Sequence, residues 1–224
     1  NGGFKGAPKF PQLYIFDTIF YFYNKNKKNT FLDVVRKLLN NISSKGIYDH
    51  LGGGISRYTV DEKWIVPHFE KMLYDNILFV KVLNNFVNHT DNNYFKNKLK
   101  QTINFINLQF RNKDNLIGSA YDADSEGVEG KYYVWKYNEL EQLLGPDLKY
   151  LIKKYEFTKD GNFEGSNILV EKKDLNFSPD ENNQIKKIEL KLLELRKKRV
   201  KPFFDDKTQI DLNSYWIYSI LHSS

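Results

Sequence analysis

The segment Pro67–Asn76, PHFEKMLYDN, gathers an imidazole, an ammonium and two carboxylates within eight residues: His68, Glu70, Lys71 and Asp75. Such groups do general acid–base work when burial or a neighbour keeps one protonated and another free at the working pH. On a helical wheel His68, Lys71 and Asp75 fall in one narrow arc. Glu70 points roughly 160° away from His68, so the four cannot share a face. If His68 lies just before regular helix its direction is freer, and it could pair with Glu70 or Asp75 across a cavity. The competing assignment is structural, with a Lys71–Asp75 pair one turn apart and a hydrogen-bonded core His68.

Two further constellations stand out. Upstream, GIYDHLGGGISRYTVDEKW packs Gly46, Gly52, Gly53 and Gly54 around Asp49, His50, Arg57, Tyr58, Asp61 and Trp64. The glycines permit close backbone approach, yet neither phosphate-loop pattern is satisfied, and a surface turn is the alternative. Downstream, YDADSEGVEGKYYVW places Asp122, Asp124, Glu126 and Gly127 like the start of a calcium loop, but Tyr133 occupies the position of the bidentate carboxylate. Carboxylates beside aromatics also suit sugar hydroxyls and glycosidic chemistry, which needs two acids about 5–9 Å apart. No HExxH occurs and the four histidines lack zinc spacing, so neither a metal nor another cofactor is expected.

Apolar periodicity predicts eight helices to position these residues: Leu13–Tyr23, Thr30–Ser43, Phe69–Asn88, Asn93–Arg111, Tyr137–Leu144, Asp147–Tyr155, Gln184–Arg199 and Asp206–Leu221. The third begins near Pro67 and is apolar around most of its axis, which makes it central and makes ionisable groups at its start costly unless paired or used. Asn24–Asn29 reads as a polar loop, and a β-hairpin is expected across Ser125–Gly130.

The 224 residues, 41% hydrophobic and 28% charged, suit one core-forming domain and exclude a disordered or collagenous chain. With no Cys there is no thiol nucleophile, disulfide or Cys-ligated zinc, and a reducing, cytoplasmic setting is the expectation. No apolar run approaches the roughly 18 residues of a membrane span, so no membrane partner is expected. The formal net charge of +6 resides in Gln184–Lys201, with eight basic and two acidic residues on an amphipathic helix. No aromatics interleave there, so a solvated face is expected rather than nucleic-acid binding. The chain starts without Met, which suggests a fragment or a processed product.

Six segments together resemble one family: GGFKGAPKFP (2–11), YDHLGGG (48–54), RYTVDEKWIVPHFEKMLYDN (57–76), DADSEGVEGKYYVW (122–135), GNFEGSNIL (161–169) and FDDK (204–207). They are similar to the signatures of the YyaL-type, thioredoxin-domain-containing family that includes the spermatogenesis-associated thioredoxin-like proteins. The resemblance implies an all-α fold, a partial (α/α)6 toroid of helical hairpins with short β-hairpin excursions, akin to six-hairpin glycosidases and N-acylglucosamine 2-epimerases. It implies that residues 1–224 are an incomplete toroid, and that the family's N-terminal thioredoxin-like domain, a partner in the full-length protein, is absent from this chain. Ser56 stands where many members have His, which leaves His50 as the imidazole of that segment.

By fold-level analogy the resemblance implies a carbohydrate-active enzyme, epimerase/isomerase-like or glycosidase-like, with acid–base chemistry on a small-molecule, sugar-type substrate in the central cavity. His68, Glu70 and Asp75 are the expected catalytic groups. Asp49, His50, Arg57, Tyr58, Trp64, Asp122, Asp124 and Glu126 are expected to bind substrate. The alternative is a noncatalytic module that binds a ligand or partner.

Overall fold

The computed structural model describes residues 2–173 and 175–221. Among them are eight α-helices: α1 (Leu13–Asn26), α2 (Asn29–Ser44), α3 (Leu73–Thr90), α4 (Asn93–Gln109), α5 (Tyr137–Leu144), α6 (Leu148–Lys154), α7 (Pro179–Lys197) and α8 (Ile210–Leu221). Each answers to one of the predicted segments. The fold class is all-α, interrupted only by two-residue strands among the described residues.

Local chemistry sets the helix ends. Ser178 and Glu181 form a capping box with Pro179 in the first turn of α7, and the Asn92 carboxamide accepts from the Tyr94 and Phe95 N–H groups to open α4. Helices α1 and α3 stop on Lys27 and Asp91, whose φ values of 52° and 48° are left-handed. The chain then reverses within two residues, so α1/α2 and α3/α4 are tight hairpins, the unit from which an (α/α) toroid is built. The expected Asn24–Asn29 loop contracts to Lys27 and Lys28.

Helix α3 is central, packed against α1, α2, α4 and α8. Its Leu73, Ile77, Phe79, Val80, Val82, Leu83 and Phe86 are all buried, each contributing about 1.5–3 kcal/mol of burial free energy. A second core joins α5, α6 and α7 around Trp135 and Tyr155.

One boundary corrects the sequence expectation, because α3 begins at Leu73 and not near Pro67. Residues 67–72 are held by distant backbone instead. His68 N–H donates to the Tyr58 carbonyl at 3.0 Å and Arg57 N–H to the Glu70 carbonyl at 2.8 Å. Lys71 and Met72 form β1, antiparallel to β2 (Ala120–Tyr121), which pairs in turn with β5 (Phe204–Asp205). Phe69, at φ 61°, is outside the right-handed helical region. The shared arc of His68, Lys71 and Asp75 therefore does not form, and neither does a Lys71–Asp75 pair. The hairpin of β3 (Asp124–Ser125) and β4 (Val128–Glu129) lies where it was expected.

Candidate functional site

The charged groups that the fold brings together are Asp49, Lys71 and Arg196. Arg196 binds Asp49 in a fork, Nη1 to Oδ1 at 2.8 Å and Nη2 to Oδ2 at 2.9 Å. Lys71 Nζ donates to Asp49 Oδ2 at 2.8 Å and to the Gly53 carbonyl at 3.0 Å. The backbone N–H groups of Leu51 and Gly52 complete the Asp49 shell, donating to Oδ1 at 3.1 and 2.9 Å. A Cβ on Gly52 would stand 2.2 Å from Arg196 Nη2, so glycine there is what lets the guanidinium reach the carboxylate. Gly54, at φ 79°, serves the same close packing against the Phe105 ring, 2.4 Å from where its Cβ would be.

The three side chains are almost fully buried, at 2% exposure for Lys71, 5% for Arg196 and 8% for Asp49. Burial opposes ionisation of Asp49, but the charges of Arg196 and Lys71 and the Arg196 hydrogen bonds outweigh it and hold the carboxyl well below the usual range. Burial pushes the Lys71 ammonium down to about 8 against the pull of Asp49, with Arg196 adding to the descent. One carboxylate thus faces two cations, and the cation able to shed its proton is Lys71, since a guanidinium does not.

This cluster lines a cavity of about 450 Å³ between α4 and α7. The rings of Phe105, Tyr121, Tyr132 and Tyr133 form apolar walls, and α4 contributes the carboxamides of Asn97, Gln101 and Asn104. Lys71 Nζ sits 4.4 Å from the Phe105 centroid and 4.9 Å from that of Tyr133, in cation–π range. The Arg196 guanidinium lies 5.3 and 5.4 Å from the Tyr132 and Tyr133 rings. Aromatic faces, carboxamides and a fixed charge in one concavity are the ingredients of a small-molecule site.

Of the residues expected from sequence to be catalytic or to bind substrate, Asp49 alone lines this cavity. His68 is on the surface side of its segment, stacked on Tyr58 with centroids 4.8 Å apart, its Nδ1 2.8 Å from Glu129 Oε1. Glu70 pairs with Arg57 at 3.0 Å. Asp75 has Oδ2 buried with no hydrogen-bond partner among the described residues, and burial raises its carboxyl to about 7 despite nearby Arg57. Trp64 is wholly buried core, its Nε1 donating to the Gly2 carbonyl at 3.3 Å. Asp122, Asp124 and Glu126 are exposed on the hairpin side; Glu126 pairs with Lys131 at 2.8 Å.

His50 follows Asp49 in the chain but joins a separate network. Its Nε2–H donates to the Lys45 carbonyl at 3.1 Å and its Nδ1 accepts from Lys98 Nζ at 3.2 Å. Burial and the Lys98 charge lower its proton affinity, which keeps the ring neutral. Lys98 also meets Glu171 Oε1 at 3.2 Å, and Tyr94 OH donates to Glu171 Oε2 at 2.7 Å.

The reading of sequence alone missed Lys71, Arg196, Tyr132 and Tyr133 as cavity residues. A signal for Arg196 was present: Ile185, Ile188, Leu192 and Arg196 follow one helical stripe, and all four are buried. The solvated-face expectation for the basic segment is corrected in part, for Arg199 also turns inward, onto the Trp135 ring at 3.9 Å and the Val134 carbonyl at 2.8 Å.

No protein-family model matches the chain. It is similar to an uncharacterized protein of Caenorhabditis elegans, 34% identical over 158 residues that cover 64% of this chain and 21% of that protein. It is similar to spermatogenesis-associated protein 20 of Homo sapiens, 30% identical over 185 residues, 74% of this chain and 24% of that protein. The Mus musculus protein of the same name is 29% identical over 185 residues, 74% of this chain and 23% of that protein. The chain therefore spans a fifth to a quarter of the length of these relatives, and the name of the human and mouse proteins agrees with the family that the motifs resemble. Among solved structures, cellobiose 2-epimerase from Bacillus thermoamylovorans aligns with 55% of this chain and 34% of its own, at a TM-score of 0.45 and 20% identity. No helix among the described residues is long and apolar enough to cross a membrane.

Proposed function

We propose that this chain is the toroid segment of a spermatogenesis-associated, thioredoxin-like family member, and that it binds and converts a small sugar-type molecule in the cavity between α4 and α7. The observation that carries the proposal is the Asp49–Lys71–Arg196 cluster set into a wall of aromatic rings and carboxamides. Rings cover the C–H faces of a sugar and carboxamides meet its hydroxyls. The reaction class that fits is proton exchange at the carbon beside a carbonyl, as in an epimerase or isomerase. In its amine form Lys71 takes the proton from carbon, the electron pair moves to the carbonyl oxygen as an enediolate, and the positive Arg196 beside it stabilises that charge. Return of the proton to carbon completes the exchange. Asp49 holds both cations in place and, locked ionised, has no proton to give.

Glycoside hydrolysis fits less well, because it needs a protonated carboxyl and a second carboxylate across the substrate. Asp49 is the one carboxylate lining the cavity among the described residues, and Asp124 and Glu126 are elsewhere. A second reading, ligand capture without conversion, is favoured by the saturation of Asp49 by two cations and two backbone N–H groups.

Proton NMR of reducing sugars in D2O with the full chain tests the proposal. The wild-type chain should wash out the signal beside the carbonyl, Lys71→Met should slow this by about 100-fold or more, and His68→Asn should leave it unchanged. Binding with no exchange would establish ligand capture. Exchange lost in His68→Asn and kept in Lys71→Met would return the chemistry to the imidazole.

A further inference from the structure

We infer that the molecule taken by this cavity carries an anionic group, phosphate or carboxylate, an inference that rests on the small-molecule reading above and names its substrate class more closely. The basic segment Gln184–Lys201 holds charge equal to the whole net charge of +6, and much of it converges on this one concavity. Lys186, Arg196, Lys197 and Lys201 all line it, joined by Lys100 from α4 and Lys71 from β1. Six cations thus face one carboxylate, and Asp49 is already consumed by Lys71 and Arg196.

The remaining four lysines differ in what they hold. Lys197 Nζ is paired with Glu194 at 2.7 Å. Lys100, Lys186 and Lys201 are exposed and make no ion pair with any described residue. They sit on facing elements: Lys100 on the α4 stripe with Asn97 and Asn104, Lys186 on the α7 stripe with Leu190 and Leu193, and Lys201 just beyond α7. Like charges around an apolar-walled concavity focus a positive potential into it. A neutral sugar gains nothing from that potential, and a substrate with its own negative charge relieves it. Charge-assisted hydrogen bonds from several of these ammonium groups to one anion, at low ionic strength, add up to a tenfold or greater preference.

Titration calorimetry of the full chain with glucose, glucose 6-phosphate and glucuronate at low ionic strength tests this. Glucose 6-phosphate, glucuronate or both should bind about tenfold or more tightly than glucose, and whichever leads identifies the anion as phosphate or carboxylate. Inorganic phosphate should compete if phosphate is the determinant. The preference should vanish in Lys100→Glu/Lys186→Glu/Lys201→Glu, whose exposed positions leave the fold intact, as an unchanged unfolding temperature would show. Equal binding of all three compounds would overturn the inference and leave the sugar reading standing. Binding of none, with no exchange in D2O, would overturn that reading and the inference with it. A preference that survives the triple charge reversal would also overturn it, as would tight binding of a single-stranded oligonucleotide with all three sugars ignored.

Discussion

Two consecutive residues, Asp49 and His50, each anchor a buried ionic cluster, and the clusters are built to different rules. Around His50 the charges balance: Lys98 and Lys154 face Glu171 and Glu189, the imidazole is neutral, and the Tyr94 hydroxyl donates to the second oxygen of Glu171. Around Asp49 they do not. Two cations share one carboxylate, the Arg196 Nε–H has no acceptor among the described residues, and the cluster opens on an aromatic cavity. A balanced, satisfied network ties α4 to the Glu171 segment and needs nothing more. A buried cluster with surplus charge and an orphan donor is costly to keep by itself, and such departures concentrate at sites of function.

The hardest blow to this contrast is Asp49→Asn. It leaves Lys71 and Arg196 buried against each other, and urea unfolding should show a loss of about 3–5 kcal/mol. A loss below about 1 kcal/mol would mean the two cations find water, and the cluster would not be the closed unit described here. Glu171→Gln should cost less, about 2–3 kcal/mol, because Lys154 is 22% exposed and keeps Glu189. It should also leave ligand affinity in the α4–α7 cavity unchanged, and a large fall in affinity would show that the two clusters act as one.

The smallest effect sharpens the comparison through pH. The Lys71 ammonium is held at about 8 in the folded chain and titrates near 10.4 when unfolded. Between those values the unfolded state binds more protons, so this group's contribution to stability rises with pH. Wild type should therefore gain about 1–2 kcal/mol over Lys71→Met between pH 8 and 10. A flat difference would show that Lys71 keeps an ordinary amine and would remove its role as the titrating member of the cluster.

How legible this was in the sequence depends on the range of the interaction. Helix α5 has the ends predicted for it, Tyr137 and Leu144, because the apolar period lies within the segment itself and Gly145 follows it directly as the stop. At Pro67–Met72 the same period misled. The wheel treated His68, Lys71 and Asp75 as neighbours, whereas pairing with Tyr58, Arg57 and β2 keeps the segment out of helix and sends Lys71 inward. The Gly52–Gly54 run signalled close approach without saying what approaches. The conspicuous acids of Asp122–Glu126 drew attention by composition, yet they remain in solvent.

By itself the sequence determined the eight helical segments, the central standing of α3, the β-hairpin at Ser125–Gly130 and the concentration of positive charge in Gln184–Lys201. These follow from periods, caps and counts that act over a few residues. Only the tertiary structure decided that Asp49 would meet Lys71, 22 residues away, and Arg196, 147 residues away. No local pattern encodes such a meeting. It exists because setting α7 across the cavity from α4 and pairing β1 with β2 bring those three charges together away from water.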